Sequence, residues 1–180
     1  MSFGLGSVGG GVWGSAWRAM SGLLVLGLAA CQGGEAMPSG GAGSVRVVVN
    51  EIYASGSDPL GDPDWVELKN LADQPADLSG FRVRDDKTPF TLPSGTSVPA
   101  RGYLLVYADD APDGGASDRL HAPFKFGGSD EVSLLAPDGT VLDSLAWSST
   151  MSSAGRTWGR LPDGTGQYLS LTPTPAARNL

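Results

Sequence analysis

"NEIYASGSDPLGDPDWVELKN", residues 50–70, packs five carboxylates (Glu51, Asp58, Asp62, Asp64 and Glu67) with two glycines and two prolines between two apolar runs. Such a stretch can be an acidic active site, a metal loop or the turn between two β-strands, and its flanks decide among them. Upstream, "VRVVVNEIY" (45–53) is apolar at successive positions, as in a strand buried on both faces. Downstream, "DWVELKN" (64–70) alternates, with Val66 and Leu68 on one side and Trp65, Glu67 and Lys69 on the other. Asp58, Asp62 and Asp64 fall between them among Gly and Pro, where aspartates bond to nearby backbone and stabilise a turn. The stretch therefore reads as strand, connection, strand. Working outward, no segment beyond residue 44 sustains a 3.6-residue apolar period over three turns. Short runs rich in branched and aromatic residues predict strands near 45–54, 64–70, 80–85, 89–92, 102–108, 131–136, 140–147 and 167–171, the pattern of an all-β sandwich or barrel.

A small repeat punctuates these strands: "LPSGT" at 92–96, "APDGT" at 136–140 and "LPDGT" at 161–165. Pro presets φ, Ser or Asp bonds the local backbone, and Gly accepts φ > 0, so each predicts a tight turn leading into a strand. The Asp-Gly pairs lack the D-x-D-x-D-G spacing of a calcium loop, which favours turn chemistry.

The N-terminus has a different character. Residues 19–30, "AMSGLLVLGLAA", are uncharged and follow Arg18. Twelve residues are too few to span a bilayer as a helix, which needs about 20, but they suit the apolar region of a secretory signal. "LAAC" (28–31) resembles the bacterial lipobox, in which the cysteine receives a diacylglyceryl thioether and becomes the new N-terminus. Cys31 is the sole cysteine, so an internal disulfide is ruled out. Cleavage between Ala30 and Cys31 is expected, with residues 1–30 a signal peptide and Cys31 the lipid attachment site. Each buried methylene contributes ~0.8 kcal/mol, so two or more acyl chains would anchor stably. Gln32, rather than Asp, after the cysteine favours the outer membrane over the inner one. Residues 31–44, rich in Gly and Ser, have the composition of a flexible tether. Loss of Arg18 leaves 11 basic against 19 acidic residues, a balance that disfavours nucleic acid as a partner. Residues 45–180 suffice for one domain with a core of its own.

Across that domain, "DWVELKN", "DLSGFRVRDD", "FTLPSGTSVPARGYLLVYADD", "HAPFKFGGSDEVSLLAPDGTVLDSL" and "GRLPDGTGQYLSLTPTPAARN" run in an order that resembles a bacterial lamin-tail domain. The resemblance implies an immunoglobulin-like two-sheet β-sandwich with Phe81, Leu92, Tyr103, Leu105, Phe124, Val132, Leu134 and Leu142 in its core. It implies no catalytic residue.

Tested as chemistry, the residues offer little. His121 has no serine in a nucleophile elbow to serve, and a structural role is favoured. Glu51 and Glu67 lie on strands expected to be neighbours and form the one candidate acid pair for a glycosidase-like hydrolase. On simple alternation Glu51 shares a face with Val47, Val49 and Tyr53, and Lys69, Arg46 or Arg82 could partner it. Asp62 and Asp64 are the best place for a structural Ca²⁺, although calcium wants six to eight oxygens. Trp147 and Trp158, with Arg156 in the loop between them, would form a sugar- or peptide-binding patch if exposed, but large aromatics usually cap a core. The expectation is a non-enzymatic, lipid-anchored surface lipoprotein of the cell envelope, acting in binding, adhesion or envelope structure. It would need no cofactor, and its partners would be the membrane and an envelope protein or polysaccharide. The alternatives are a small secreted hydrolase using Glu51 and Glu67, or a docking module for a polysaccharide or partner enzyme.

Overall fold

A computed structural model describes residues 45–54, 63–110, 119–149 and 155–180 of the protein. Cys31, Ala30, the tether and Asp62 lie outside the described residues. What is described is all β: β1 (Val47–Tyr53), β2 (Asp64–Asn70), β3 (Ala76–Asp77), β4 (Arg82–Arg84), β5 (Pro89–Thr91), β6 (Ser97–Val98), β7 (Tyr103–Ala108), β8 (Leu120–Ala122), β9 (Asp130–Leu135), β10 (Val141–Trp147), β11 (Thr157–Leu161) and β12 (Gln167–Leu171).

A six-stranded sheet has the order β12-β11-β1-β2-β7-β8 and a four-stranded sheet the order β10-β9-β4-β5. Every pairing is antiparallel except β7 with β8. Val47, Val49, Ile52, Val66, Leu68 and Val106 of the larger sheet join Val83, Val132, Leu134 and Leu145 of the smaller in one buried cluster. This is the immunoglobulin-like sandwich, with β1 in the interior of its sheet, as its apolar residues on both faces lead one to expect.

The glycine of each repeat takes the expected conformation, and the expected side-chain bond to the local backbone forms at Asp138. Gly95, Gly139 and Gly164 adopt φ of 83°, 93° and 78°, in the left-handed region where Cβ is penalised. "APDGT" closes the β9–β10 hairpin, with Ala136 N–H donating to Thr140 O at 2.8 Å and Thr140 N–H to Asp138 Oδ1 at 2.9 Å.

Two β-bulges set the phase of the fold. In β1 the register passes from Val49↔Leu68 to Glu51↔Glu67, leaving Asn50 as the extra residue. A bulge reverses the alternation beyond it. Val47 and Val49 therefore face the core before it and Ile52 after it, while Glu51 is turned to the outer face opposite Glu67. The expectation that Glu51 shares a face with Val47 and Val49 is thus corrected. In β10 the register shifts between Val141 and Asp143. Leu142, expected in the core, is 37% exposed, and Asp143 points inward in its place. Phe81, Leu92, Phe124, Val132 and Leu134 are buried as expected, with Tyr103 and Leu105 half-buried.

Four strands go beyond the sequence reading: β3, β6, β8 and β11. The first three are only two or three residues long. In β11, "TWGRL", a central glycine hides the strand signal. A Cβ on Gly159 would come within 2.7 Å of Asn179 Nδ2 and 3.2 Å of Glu51 Cγ. The glycine is there because a polar cluster crowds it.

Candidate functional site

The cluster lies on the outer face of the six-stranded sheet, under residues 174–179. The carboxylates of Glu51 and Glu67 sit on directly paired residues of β1 and β2 and are both 0% exposed. Glu51 Oε1 accepts from the Thr157 hydroxyl in a short bond and from Thr174 N–H at 3.3 Å, while Oε2 accepts from the Thr174 hydroxyl at 2.9 Å. Glu67 Oε1 accepts from Asn50 Nδ2 at 2.8 Å and Oε2 from Ala176 N–H at 2.7 Å. Every carboxylate oxygen of the pair is therefore occupied. Threonines partner Glu51; the expected cations do not. Lys69 instead bridges to Asp163 at 2.8 Å, and Arg82 stands on the other sheet.

Asn50, the bulge residue, ties the cluster together. Its Nδ2 also donates to Asp163 Oδ1 at 2.9 Å, and its Oδ1 accepts from Gly164 N–H at 2.8 Å. The Asp of the third turn repeat thus leaves its own turn to meet Asn50, Lys69 and the Tyr103 hydroxyl, the last at 2.8 Å. Asn179 closes the far side, donating to Arg160 O at 3.0 Å, with its Oδ1 2.8 Å from the Thr174 hydroxyl, whose one proton it shares with Glu51. The one sequence signal of this arrangement is the polar pair Asn50-Glu51 interrupting an apolar strand.

Burial dominates the electrostatics. It raises the Glu51 carboxyl, against the opposing bonds from Thr157 and Thr174. It pushes Glu67 up to about 8, helped by the neighbouring Glu51 charge and resisted by Asn50 and Ala176. Asp163 goes the other way: burial opposes its charge, but Lys69, Asn50 and Tyr103 outweigh it and hold the carboxyl low. Acid catalysis on a sugar requires two carboxyl groups across a cleft that admits substrate and water. These two are sealed, and their oxygens fasten the C-terminal segment to the sheet.

A second stitch joins the two sheets at the β1 bulge. Val49 N–H donates to Asp143 Oδ2 at 2.9 Å, and Val49 O accepts from Arg160 Nε at 2.9 Å and the Tyr168 hydroxyl at 2.7 Å. Arg160 in turn bridges to Asp143 at 2.9 Å. The inward Asp143 thus satisfies Val49 N–H, and Arg160 and Tyr168 satisfy Val49 O, beside the bulge.

The remaining candidates are placed separately. Trp147 is 6% exposed, edge-on to Phe126 at 5.1 Å, and donates from Nε1 to Gly127 O at 2.9 Å. It belongs to the core, so the exposed Trp147–Trp158 patch does not form. Trp158 is half-buried on β11 against Ile52. Arg156 lies along β12, donating to Ser170 O at 2.8 Å and Thr172 Oγ1 at 3.0 Å. Asp64 Oδ2 accepts from Phe126 N–H at 3.2 Å. Among the described residues no three His, Cys, Asp or Glu side chains group so as to hold a metal. His121 pairs with Asp109 at 2.7 Å and stacks on Tyr107 at 5.5 Å.

Compared with known proteins, the chain matches the family model described as Lamin Tail Domain over residues 41–149. No curated protein matches significantly. The matched span ends before β11, β12 and the residues that cover Glu51 and Glu67.

Proposed function

The chain belongs to the lamin tail domain family, and on that footing we propose that it is a lipid-anchored, non-enzymatic binding module of a bacterial cell envelope. The observation that carries the proposal is the apolar run 19–30 ending in Leu28-Ala29-Ala30-Cys31, followed by a Gly/Ser-rich tether. Signal cleavage before Cys31 and acylation of its thiol would leave the sandwich at the end of that tether, with the outer membrane favoured by Gln32. The family is not known as catalytic, and the one acid pair is consumed in holding the C-terminal segment, which supports a binding role over the hydrolase. Partners would be an envelope protein or polysaccharide, with no nucleic acid.

The test is expression of the full chain in a bacterial host fed labelled palmitate. Label should enter the protein and the protein should sediment with membranes, whereas Cys31→Ser should lose both. Unlabelled protein, or membrane retention of the variant, would overturn the anchor. The reading needs no cofactor: EDTA should leave the melting midpoint unchanged, and a clear drop would instead favour Ca²⁺ at Asp62 and Asp64.

A further inference from the structure

The outer face of the four-stranded sheet has no part in the clusters described above. Val83, Val132, Leu134 and Leu145 point to the core, so alternation puts Arg82 and Arg84 of β4 on the opposite face. The register sets Ser144, Ser133, Arg84 and Pro89 in one row across the four strands, and Val141, Leu135, Arg82 and Thr91 in the next. The companions of Arg84 are two serines and a proline, and the β9 members of both rows, Ser133 and Leu135, are buried, which leaves Ser144, Val141, the two arginines and the β5 residues as the accessible groups. Val141, in the Arg82 row, is 51% exposed.

Arg82 and Arg84 are two cations on neighbouring rows of one sheet face. The chain has a surplus of seven acidic residues, and Lys69, Lys87, Arg101 and Arg160 each hold an aspartate. Among the described residues Arg82 and Arg84 hold no acid within ion-pair distance; the Arg82 guanidinium lies over the 137–139 turn, 3.5 Å from Pro137 O and near enough to Asp138 to favour its charge. Arg84 Nε is moreover buried with no hydrogen-bond acceptor. That buried Nε is out of reach of an incoming group, but the two terminal nitrogens of the guanidinium are not sealed in this way and can take a carboxylate through two parallel N–H bonds.

We propose that this face docks an extended acidic peptide of a partner protein, whose carboxylates at alternate positions pair with Arg84 and Arg82. Same-face residues two apart on a strand are separated by ~6.6–6.8 Å, so the two arginines repeat at the interval at which an extended peptide repeats its own side chains. Glu131 lies on this face in the row beyond Arg84, opposite Ala146, and repels a third acid. The preferred motif is therefore acid-x-acid with a neutral or basic residue next on that side. Val141 offers apolar contact at the Arg82 end. The proposal rests on the reading of the domain as a binding module; the palmitate assay tests anchoring and the binding assay tests this face, so either can fail without the other.

The experiment titrates the full chain in detergent into two labelled, end-blocked peptides of equal composition, Thr-Glu-Thr-Glu-Thr and Thr-Thr-Glu-Glu-Thr, followed by anisotropy. The alternating peptide should bind saturably and more weakly at higher salt, and the adjacent-acid peptide about tenfold less tightly. Arg84→Met should weaken binding by about tenfold or more without lowering the melting midpoint, because the variant removes a donor that has no acceptor. Ser144→Glu, an exposed change in the same row, should weaken it as well and serves if Arg84→Met does not fold. No saturable binding, equal binding of the two peptides, or binding unaffected by both variants would overturn the proposal. So would Arg84-dependent binding of inorganic phosphate or of phosphatidylglycerol–phosphatidylcholine vesicles without binding of the peptide.

Discussion

Glu51 and Glu67 place two carboxyl groups side by side in a dry environment, and a proton on Glu67 relieves their repulsion. A carboxyl raised from 4.5 to about 8 by folding takes up a proton as the chain folds between those values. Stability is then highest below that window and declines as pH rises through it. Glu67→Gln cannot ionise, but it turns one of the bonds from Asn50 or Ala176 into a clash of donors, at a cost of ~1–3 kcal/mol. The variant should therefore be less stable than wild type at pH 5, with the gap narrowing or reversing by pH 9. Urea midpoints at pH 5, 7 and 9 check this, and parallel pH profiles would remove Glu67 as the titrating group.

At the scale of elements, the two bulges lie on facing strands. The bulge in β1 turns Glu51 away from the side that strict alternation from Val47 and Val49 assigns it, and the bulge in β10 turns Val141 outward while Asp143 stays in phase with Leu145 and Trp147; both acids are enclosed by partners distant in sequence. Asp143→Ala would leave Val49 N–H and Arg160 Nη2 without their acceptor. It should cost about 2–4 kcal/mol, between the values for exposed and fully buried ion pairs, with Asp143→Asn recovering part; chemical denaturation of the three proteins measures it. The bulges also mark the limit of what the sequence reveals. The turns at Gly95, Gly139 and Gly164 and the interior position of β1 were legible, because Pro-x-Gly chemistry and apolar runs act locally. The side taken by Glu51 is not legible, because alternation runs straight through Asn50 where the strand has its bulge, and the core position of Leu142 came with the family resemblance, which carries no sign of the β10 bulge. β11 is hidden in the sequence for a related reason: Gly159 answers to Asn179 and Glu51, residues far away in the chain. The acid pair itself was found, but its partners Thr157, Thr174 and Asn179 came to it only through tertiary structure.

For the whole molecule, order along the chain matters. β1 is completed on one side by β2, close in sequence, and on the other by β11, more than a hundred residues later. Non-local pairing of this kind makes folding slow. A chain ending at residue 149, where the family match stops, would keep β1 to β10 but lose β11, β12 and the cover over Glu51 and Glu67. It should fail to fold cooperatively, seen as a broad or absent thermal transition by circular dichroism, whereas the full chain melts sharply. A sharp transition in the shorter chain would mean that the final 31 residues are dispensable to the sandwich.

The interior position of β1 also governs how the domain meets mechanical load. Residues 45 and 46 lead straight into Val47, so tension arriving from the N-terminal side enters the sheet at a strand laced to β2 along its length and to β11 beyond the bulge. Its ladders are strained together in shear instead of being peeled one bond at a time from an edge. With the C-terminal segment clasped over the same strand through Glu51, a pull on the leading end reaches β1 while the trailing end helps to hold it.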